Sequence, residues 1–157
     1  MGRTVFYLCQ HGDALARDVD PDRPLSKRGT ADVCNVAGSL GGRIVIDAII
    51  HSGRTRARQT AELLHERLAP DVDIREQAGL GPKDPVEDFA AVIASSTDNL
   101  MMVGHMPFVG RLASHLLCHA GDPDRNIVAF QPGTVVALER QDDGNWMLAW
   151  MVTPALC

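Results

Sequence analysis

A continuous apolar run near the amino terminus sets the fold class of this chain. Residues 4–9 read Thr-Val-Phe-Tyr-Leu-Cys, with no charge and no alternation of polar and apolar side chains. Such a run is typical of a strand that is buried on both faces, and strands of this kind occur in parallel sheets that are covered by helices. The sequence therefore predicts an α/β domain with a mostly parallel sheet.

Short β-rich runs and helix-like stretches alternate along the rest of the chain. Their periodicity and turn residues predict three more strands of the central sheet, over residues 47–51, 72–75 and 99–104. They predict helices over residues 25–40, 55–68 and 86–94, and a fourth helix that begins at Pro107. A terminal β-hairpin is predicted over residues 133–140 and 146–152. Because no repeat, low-complexity tract or linker interrupts this order, we expect one domain over residues 1–157.

Length and cysteine usage favour an ordinary folded domain. The chain has 157 residues, of which 45% are hydrophobic and 22% are charged. A domain of about 150 residues buries roughly 68–70% of the surface of its unfolded chain, so it needs no disulfide or metal for stability. The four cysteines form no C-x-x-C pair, and we expect them to be reduced thiols.

Charge and hydropathy exclude two classes of partner. The formal net charge is −5 at pH 7, whereas nucleic-acid-binding surfaces neutralise phosphates with Lys and Arg. No run approaches the ~20 apolar residues that span a bilayer, and residues 1–9 lack the long apolar stretch and cleavage site of a signal peptide. We therefore expect a cytoplasmic protein that binds neither nucleic acid nor membrane.

Unusual polar residues follow three of the predicted strands. Residues 10–12 follow the first strand, residues 52–56 follow the second, and His105 follows the last of the parallel strands. In open α/β sheets, ligands bind beyond the carboxyl ends of the strands. We therefore expect His11, Arg56 and His105 to lie together at one edge of the sheet.

Two histidines and an arginine at one strand edge suit phosphoryl transfer. A neutral imidazole attacks phosphorus, while a guanidinium and a second imidazole donate hydrogen bonds to the equatorial oxygens, where charge develops. The helices that are predicted after Ser52 and His105 add backbone N–H donors for an anion. The pattern predicts a phosphate pocket that contains a nucleophile.

Three motifs in this order resemble those of the histidine phosphatase superfamily. Residues 10–12, Gln-His-Gly, stand where the family has Arg-His-Gly after its first strand. Residues 52–60, Ser-Gly-Arg-Thr-Arg-Ala-Arg-Gln-Thr, are similar to the family's Ser-Pro-x-x-Arg-Ala-x-Gln-Thr. Residues 103–107, Val-Gly-His-Met-Pro, are similar to its second histidine motif.

Further residues resemble one compact group within this superfamily. His-Gly-Asp-Ala at residues 11–14 and Pro-Leu-Ser-Lys-Arg-Gly at 24–29 are similar to the bacterial phosphohistidine phosphatases of the SixA type. The resemblance covers about residues 5–110 and implies the phosphoglycerate-mutase-like fold, a three-layer α/β/α sandwich. It implies a phosphohistidine-bearing protein as substrate, such as a phosphorelay or phosphotransfer domain, binding of phosphate or other oxyanions, and no metal or organic cofactor.

The resemblance also assigns functions to individual residues at the strand edge. It makes His11 the nucleophile that is transiently phosphorylated, with Arg56 and His105 as its phosphate-binding partners. We expect His105 to donate best as an imidazolium, with an ordinary pKa of ~6.5. Four further candidates for substrate binding adjoin these three residues: Gln10, Gly12, Ser52 and Arg54.

Gln10 and Arg54 both depart from the family pattern. Gln10 replaces a charged, bidentate donor with a neutral amide, and Arg54 stands where the family often has an apolar residue. Arg54 is either a solvated residue or the missing guanidinium, moved to the start of the helix that carries Arg56. Arg58 is expected to face solvent, because residues two apart on a helix point in different directions.

The general acid is the residue that the sequence identifies least. Asp13 lies two residues after the nucleophile and is a candidate acid, although an Asp at this place also suits a turn or a helix cap. An imidazole leaving group needs little help from an acid, so a missing acid favours phosphohistidine over phosphomonoesters. Two other functions stay open: a small-molecule phosphomonoesterase, and a phospho-ligand binding module with little turnover because of Gln10.

Two patterns suggest a metal but do not complete a site. Residues 18–29 begin like a calcium-binding loop, but their sixth position is Arg23 and their twelfth is Gly29, which favours a solvated loop beside the pocket. His115 and His119 lie one helical turn apart, but no third ligand is evident. The sequence therefore predicts no metal site.

Overall fold

A six-stranded sheet forms the centre of the computed structural model, which describes residues 2–118 and 125–157. In chain order the strands are β1 (Val5–Gln10), β2 (Ala48–His51), β3 (Asp73–Glu76), β4 (Leu100–Gly104), β5 (Val135–Arg140) and β6 (Trp146–Val152). Their order in the sheet is β3-β2-β4-β1-β5-β6. β1 to β4 are parallel, and β5 pairs antiparallel with both β1 and β6. The sheet is mostly parallel, as the sequence predicts.

Two pairs of helices cover the sheet. They are α1 (Lys27–Leu40), α2 (Thr55–Leu68), α3 (Val86–Ser95) and α4 (Phe108–Cys118), and a short 3-10 helix, Pro154–Leu156, follows β6. Successive side chains of a strand point to opposite faces. Tyr7 and Cys9 of β1 pack in a cluster with α1 and α2, whereas Phe6 and Leu8 pack in a cluster with α3 and α4. The predicted three-layer α/β/α sandwich is confirmed.

The predicted elements are present, and their ends differ from the predictions by at most two residues. α2 and β6 have the predicted bounds. α1 begins at Lys27 rather than at residue 25 because Ser26 is its N-cap, with an Oγ that accepts the Gly29 N–H at 2.9 Å. β5 begins at Val135 rather than at residue 133, because Gly133 has a φ of +84°, which lies outside the extended region.

The thiols of the chain are unpaired. Cys9, Cys34, Cys118 and Cys157 are all free. Burial raises the pKa of the Cys9 thiol to about 12, so this thiol stays protonated at neutral pH.

Helix length bears on membrane insertion. α1 and α2 have 14 residues each, whereas a membrane span needs about 20. In residues 2–118 and 125–157, no helix has both the length and the apolar character to cross a membrane.

Candidate active site

The carboxyl ends of β1, β2 and β4 lie side by side at one edge of the sheet. Gln10 of β1 pairs with Gly104 of β4, and β2 pairs with the other side of β4. His11, Ser52 and His105 follow these strand ends, so strand register brings them together. The His11 N–H donates to the Gly104 carbonyl at 3.0 Å, and the rings of His11 and His105 have centroids 5.0 Å apart.

Two hydrogen bonds fix the tautomer of His11. Its Nδ1 lies 2.7 Å from the carbonyl oxygen of Gly12, and a carbonyl oxygen only accepts, so Nδ1 carries the ring proton. Its Nε2 lies 3.2 Å from Nε of Arg56, and a guanidinium nitrogen only donates. Both partners therefore require the same tautomer, in which Nε2 holds a lone pair.

Burial lowers the pKa of His11 from 6.5 to about 4. The hydrogen bond to Gly12 acts in the opposite direction, Arg56 and Arg23 lower the pKa further, and Asp13 raises it. The net result is an imidazole that is neutral at pH 7. This is the protonation state that a nucleophile needs.

Arg56 lies in the first turn of α2 and has 9% of its surface exposed. Its Nε donates to the lone pair of His11. Burial, followed by the charges of Arg23, Arg54 and Arg17, lowers the pKa of Arg56, yet an arginine stays charged at neutral pH. The guanidinium is thus a fixed cation beside the nucleophile, with further N–H groups for an anion.

His105 is 1% exposed, and its Nε2 lies 2.5 Å from the hydroxyl oxygen of Ser52. Its Nδ1 is buried without a hydrogen-bond partner among the described residues. Burial, followed by the charges of His11, Arg56, Arg54 and Arg23, lowers the pKa of His105 to about 3.

The low pKa of His105 corrects the expectation that its pKa is ordinary. The sequence suggests a ring with a pKa of ~6.5, whereas the pKa in this structure is about 3. The physical reason is that the ring is buried among cations, and both effects disfavour a further positive charge. An anion beside the ring would reverse the second effect.

Arg23 acts electrostatically on the site, although its place in the sequence marks it only as a residue that disrupts a calcium loop. Its backbone is left-handed, with a φ of +47°, which is uncommon for a side chain other than glycine. Its Nε donates to the Leu15 carbonyl at 3.1 Å, and Leu15 N–H donates to the Pro24 carbonyl. The Arg23 charge lowers the pKa of both His11 and His105, which places the guanidinium near the two rings. An arginine directly before the Pro-Leu-Ser motif is the signal that marks it.

Arg54 and Arg58 differ in their surroundings. Arg54 is the exposed N-cap residue of α2, and its side chain makes no capping hydrogen bond. Its charge lowers the pKa of both Arg56 and His105, which places it near the pocket. Arg58 instead lies 3.7 Å from Glu62 in an exposed ion pair, so the prediction of a solvated Arg58 is confirmed.

Part of the chain that forms this strand edge matches a known protein family. The family model described as the histidine phosphatase superfamily (branch 1) matches residues 6–81, which include His11 and Arg56. The chain is similar to the histidine phosphatase superfamily over just under half of its length. This match supports phosphatase activity at the strand edge described above.

Solved structures share the fold of this chain over nearly its whole length. The protein histidine phosphatase SixA, complexed with tungstate, is 23% identical, with a TM-score of 0.84 over 98% of this chain and 99% of that one. The SixA protein of Agrobacterium tumefaciens is 24% identical, with a TM-score of 0.77 over 98% and 100%. A mycobacterial glucosyl-3-phosphoglycerate phosphatase with VO3 is 17% identical, with a TM-score of 0.70 over 94% and 98%. At these identities the likeness is one of fold, and no curated protein matches the sequence.

Gln10 is the departure from the Arg-His-Gly signature of the superfamily, and the structure buries it. Its surface is 9% exposed, and its backbone bonds to Thr134 and Gly133. The side-chain Oε1 has no hydrogen-bond partner within the described part of the chain. Because buried polar atoms are normally bonded, this amide is a candidate contact for a bound group.

Gly12 and Ser52 lie beside the two histidines and have different roles. The Gly12 N–H donates to Thr60 Oγ1 at 3.0 Å, and its carbonyl accepts from His11, so both of its backbone groups are already bonded. A Cβ at this position would lie 2.9 Å from Val33. Gly12 therefore holds the His11 ring, whereas the Ser52 hydroxyl faces His105 and is the more suitable contact for an oxyanion.

Asp13, the candidate acid, is bonded at the start of α1. Its Oδ2 accepts a hydrogen bond from the Ser26 hydroxyl at 2.5 Å, and its carbonyl accepts from the Ser26 N–H. Ser26 is also the N-cap of α1. These contacts favour the alternative in which Asp13 stabilises a turn and a helix start.

The described residues hold no group of three or more His, Cys, Asp or Glu side chains that is arranged to bind a metal ion. His115 lies near the end of α4. His119, its candidate partner in the sequence, lies outside the described residues.

Proposed function

We propose that this chain is a histidine phosphatase that removes the phosphoryl group from phosphohistidine in a protein. The observation that carries the proposal is the ring of His11, whose unprotonated Nε2 lies 3.2 Å from the guanidinium of Arg56. A neutral nucleophile beside a fixed cation is the arrangement that attack on a phosphoryl anion requires.

Binding of the phosphoryl group exchanges hydrogen bonds within the site. A phosphoryl oxygen replaces Nε2 of His11 as the acceptor for Arg56, and the exchange frees the lone pair for attack. The anion also raises the pKa of His105, because negative charge favours the imidazolium. His105 and the Ser52 hydroxyl then donate to further oxygens. Arg23 and the N–H groups at the starts of α2 and α4 complete the positive surroundings.

Two displacement steps follow from this geometry. In the first, Nε2 of His11 forms a bond to phosphorus, and the bond between phosphorus and the substrate imidazole breaks. The leaving nitrogen keeps the electron pair and takes up a proton from solvent. In the second, water attacks phosphorus and gives its proton to solvent, and His11 regains its lone pair as phosphate leaves.

The shortage of a general acid favours phosphohistidine as the substrate. Asp13 is the candidate acid in the loop after the nucleophile, and its charge raises the pKa of His11. Asp13 itself is bonded to Ser26. An alkoxide leaving group requires a proton donor, whereas an imidazole leaves with much less assistance.

The solved structures lend support of a different kind. The SixA structure at a TM-score of 0.84 is described as a protein histidine phosphatase and holds tungstate, and the mycobacterial structure holds VO3. We therefore expect phosphate, tungstate and vanadate to bind beside His11. A cytoplasmic phosphorelay or phosphotransfer protein is the expected source of the phosphohistidine.

A small-molecule phosphomonoesterase is the second candidate. The observation that favours it is the neighbour at a TM-score of 0.70, a phosphatase of glucosyl-3-phosphoglycerate. A third candidate function is a phospho-ligand binding module with little turnover. Gln10 favours it, because a neutral amide replaces a charged donor.

Rapid-quench labelling separates these three functions. The purified protein is mixed with a radiolabelled phosphohistidine protein and, separately, with an aryl phosphate. We expect the phosphohistidine protein to give a label on the enzyme that is labile in acid and stable in base, followed by release of phosphate. Label and turnover with the aryl phosphate alone would favour the phosphomonoesterase. Tungstate binding without any label would favour the binding module.

A matched pair of histidine variants shows that the label depends on the site. His11→Ala should abolish labelling and leave the protein folded. His65→Ala is the control, because His65 lies on α2 and bonds to the Val72 carbonyl at 2.9 Å, away from the pocket. Equal labelling of the two variants would contradict the assignment of His11.

A further inference from the structure

A closed ring of four hydrogen bonds passes through the imidazole of the nucleophile, His11. His11 Nδ1 donates to the Gly12 carbonyl at 2.7 Å, and the Gly12 N–H donates to Thr60 Oγ1 at 3.0 Å. The Thr60 hydroxyl donates to the Arg56 carbonyl at 2.7 Å, and Arg56 Nε donates back to His11 Nε2 at 3.2 Å. The ring links the loop after β1 to the first turns of α2.

Thr60 is the member of this hydrogen-bond ring that does not bond the His11 imidazole. It is fully buried, so it does not meet a substrate. A threonine on a helix commonly donates to the carbonyl four residues earlier, and the bond to Arg56 is of this local kind. The bond from Gly12 is not local, because 48 positions separate the two residues. The hydroxyl can make both bonds because it donates once and accepts at the same time.

The hydrogen-bond ring connects Thr60 to the tautomer of the His11 imidazole. The bond from the Gly12 N–H to Thr60 fixes the peptide between His11 and Gly12, and the Gly12 carbonyl, which belongs to the next peptide, selects Nδ1 as the protonated nitrogen. On the other side, the bond to the Arg56 carbonyl joins the same hydroxyl to the turn that carries the guanidinium. One side chain thus sets the mutual position of the nucleophile and its cation.

The residue before Thr60 makes a parallel contact. Gln59 Oε1 accepts the Leu25 N–H at 2.8 Å, two residues after Arg23. Consecutive residues of α2 therefore hold the two loops that carry His11 and Arg23. This gives a physical reason for the Gln-Thr pair at the end of the second motif.

We propose that Thr60 is a positioning residue. Its hydroxyl accepts from the Gly12 N–H and holds the Gly12 backbone where the Gly12 carbonyl binds Nδ1 of His11, so that His11 presents an unprotonated Nε2 beside Arg56. The inference rests on the proposed function, in which Nε2 is the attacking atom. The competing interpretation is that Thr60 only fills the core. Valine has nearly the same shape without the hydroxyl, so the two interpretations predict different results for Thr60→Val.

The test compares Thr60→Val with Thr60→Ser by nitrogen NMR of the His11 ring and by kinetics. We expect Thr60→Val to give a mixture of His11 tautomers and to lower kcat about tenfold, with little change in KM. Thr60→Ser keeps the hydroxyl and should restore both the single tautomer and kcat. Thr60→Ala also removes the hydroxyl and replaces the valine variant if that variant does not fold.

Ser114→Ala is the matched control for the loss of a buried hydroxyl. Ser114 is 7% exposed and bonds to the Arg125 carbonyl at 2.6 Å, on α4 and outside the ring. A folded Thr60→Val with a single His11 tautomer and unchanged kcat would overturn the proposal. The NMR measurement needs no turnover, so a native protein that proves inactive on every substrate would refute the proposed function and leave the positioning of His11 by Thr60 still measurable.

Discussion

Replacing Arg54 and Gln10 together tests whether a guanidinium has moved within the phosphate pocket. Gln10 stands in place of the signature arginine and is buried, with an Oε1 that has no partner among the described residues. Arg54 is exposed at the start of α2 and makes no capping hydrogen bond. If Arg54 supplies the charge that Gln10 lacks, the two substitutions are coupled.

The expected size of the effect follows from the kind of hydrogen bond. Charged hydrogen bonds contribute about 1.5–3 kcal/mol and neutral ones about 0.5–1.5 kcal/mol. The difference corresponds to roughly tenfold in rate. Arg54→Leu should therefore lower kcat/KM by up to about tenfold, with solvent screening of the exposed Arg54 side chain reducing the effect.

The second substitution, Gln10→Arg, is expected to change kcat/KM little when it is made alone. Gln10 is nine-tenths buried, and Arg54 already places a cation close enough to lower the pKa of Arg56 and His105. Gln10→Arg alone should raise kcat/KM little or lower it by crowding. In the Arg54→Leu background, the same change should recover activity.

The assay is kcat/KM for a phosphohistidine protein at fixed salt, measured for the native protein, both single variants and the double variant. Arg58→Leu is the control, because Arg58 lies four residues farther along α2 in an ion pair with Glu62. Effects of Gln10→Arg and Arg54→Leu that simply add would refute the coupling. An unchanged rate for Arg54→Leu would make Arg54 a solvated residue.

Four further outcomes follow from the structure. Because the pKa of His11 is about 4, the acid limb of kcat/KM should lie near that value, and a limb near 6.5 would contradict the burial argument. Burial lowers the pKa of His11 to about 4 and that of His105 to about 3, so the free energy of unfolding should fall as pH drops from about 6.5 to about 3. In urea denaturation at several pH values, His105→Asn should lose less unfolding free energy per pH unit than the native protein. Arg23→Ala should weaken tungstate binding about tenfold by calorimetry, and an unchanged affinity would remove Arg23 from the pocket. Asp13→Asn should keep most of the turnover and lower the thermal midpoint through Ser26, whereas a loss of about a hundredfold in kcat would make Asp13 the acid.

The fold could be predicted because local signals agree with it. The apolar run of β1 indicates burial on both faces, and the bounds of α2 follow from its own periodicity. Strand register then places His11 and His105 side by side, which is why polar residues at strand ends indicate the site.

Other properties depend on tertiary contacts that are remote in sequence. The pKa of His105 falls because the ring is buried and because arginines that are remote in sequence lie near it. A sequence motif contains neither the burial nor these neighbours. Arg23 has a left-handed backbone conformation, and its charge acts on His11 from a loop. Asp13 is bonded to Ser26, 13 positions away in the sequence. The ring through Thr60 needs a contact between the loop after β1 and α2, so the sequence shows its members but not their connection.

The site of phosphorylation on the His11 ring is the most direct test of the central claim. The Gly12 carbonyl holds Nδ1 and leaves Nε2 with the lone pair, so phosphorylation should occur at Nε2 and nowhere else. Phosphorus NMR of the enzyme, trapped during reaction with a phosphohistidine protein and compared with reference phosphohistidines substituted at each nitrogen, identifies the position. A single signal for the Nε2 adduct, absent from His11→Ala, is the predicted result. A phosphoryl group on Nδ1, on another residue or on no residue during turnover would contradict the account.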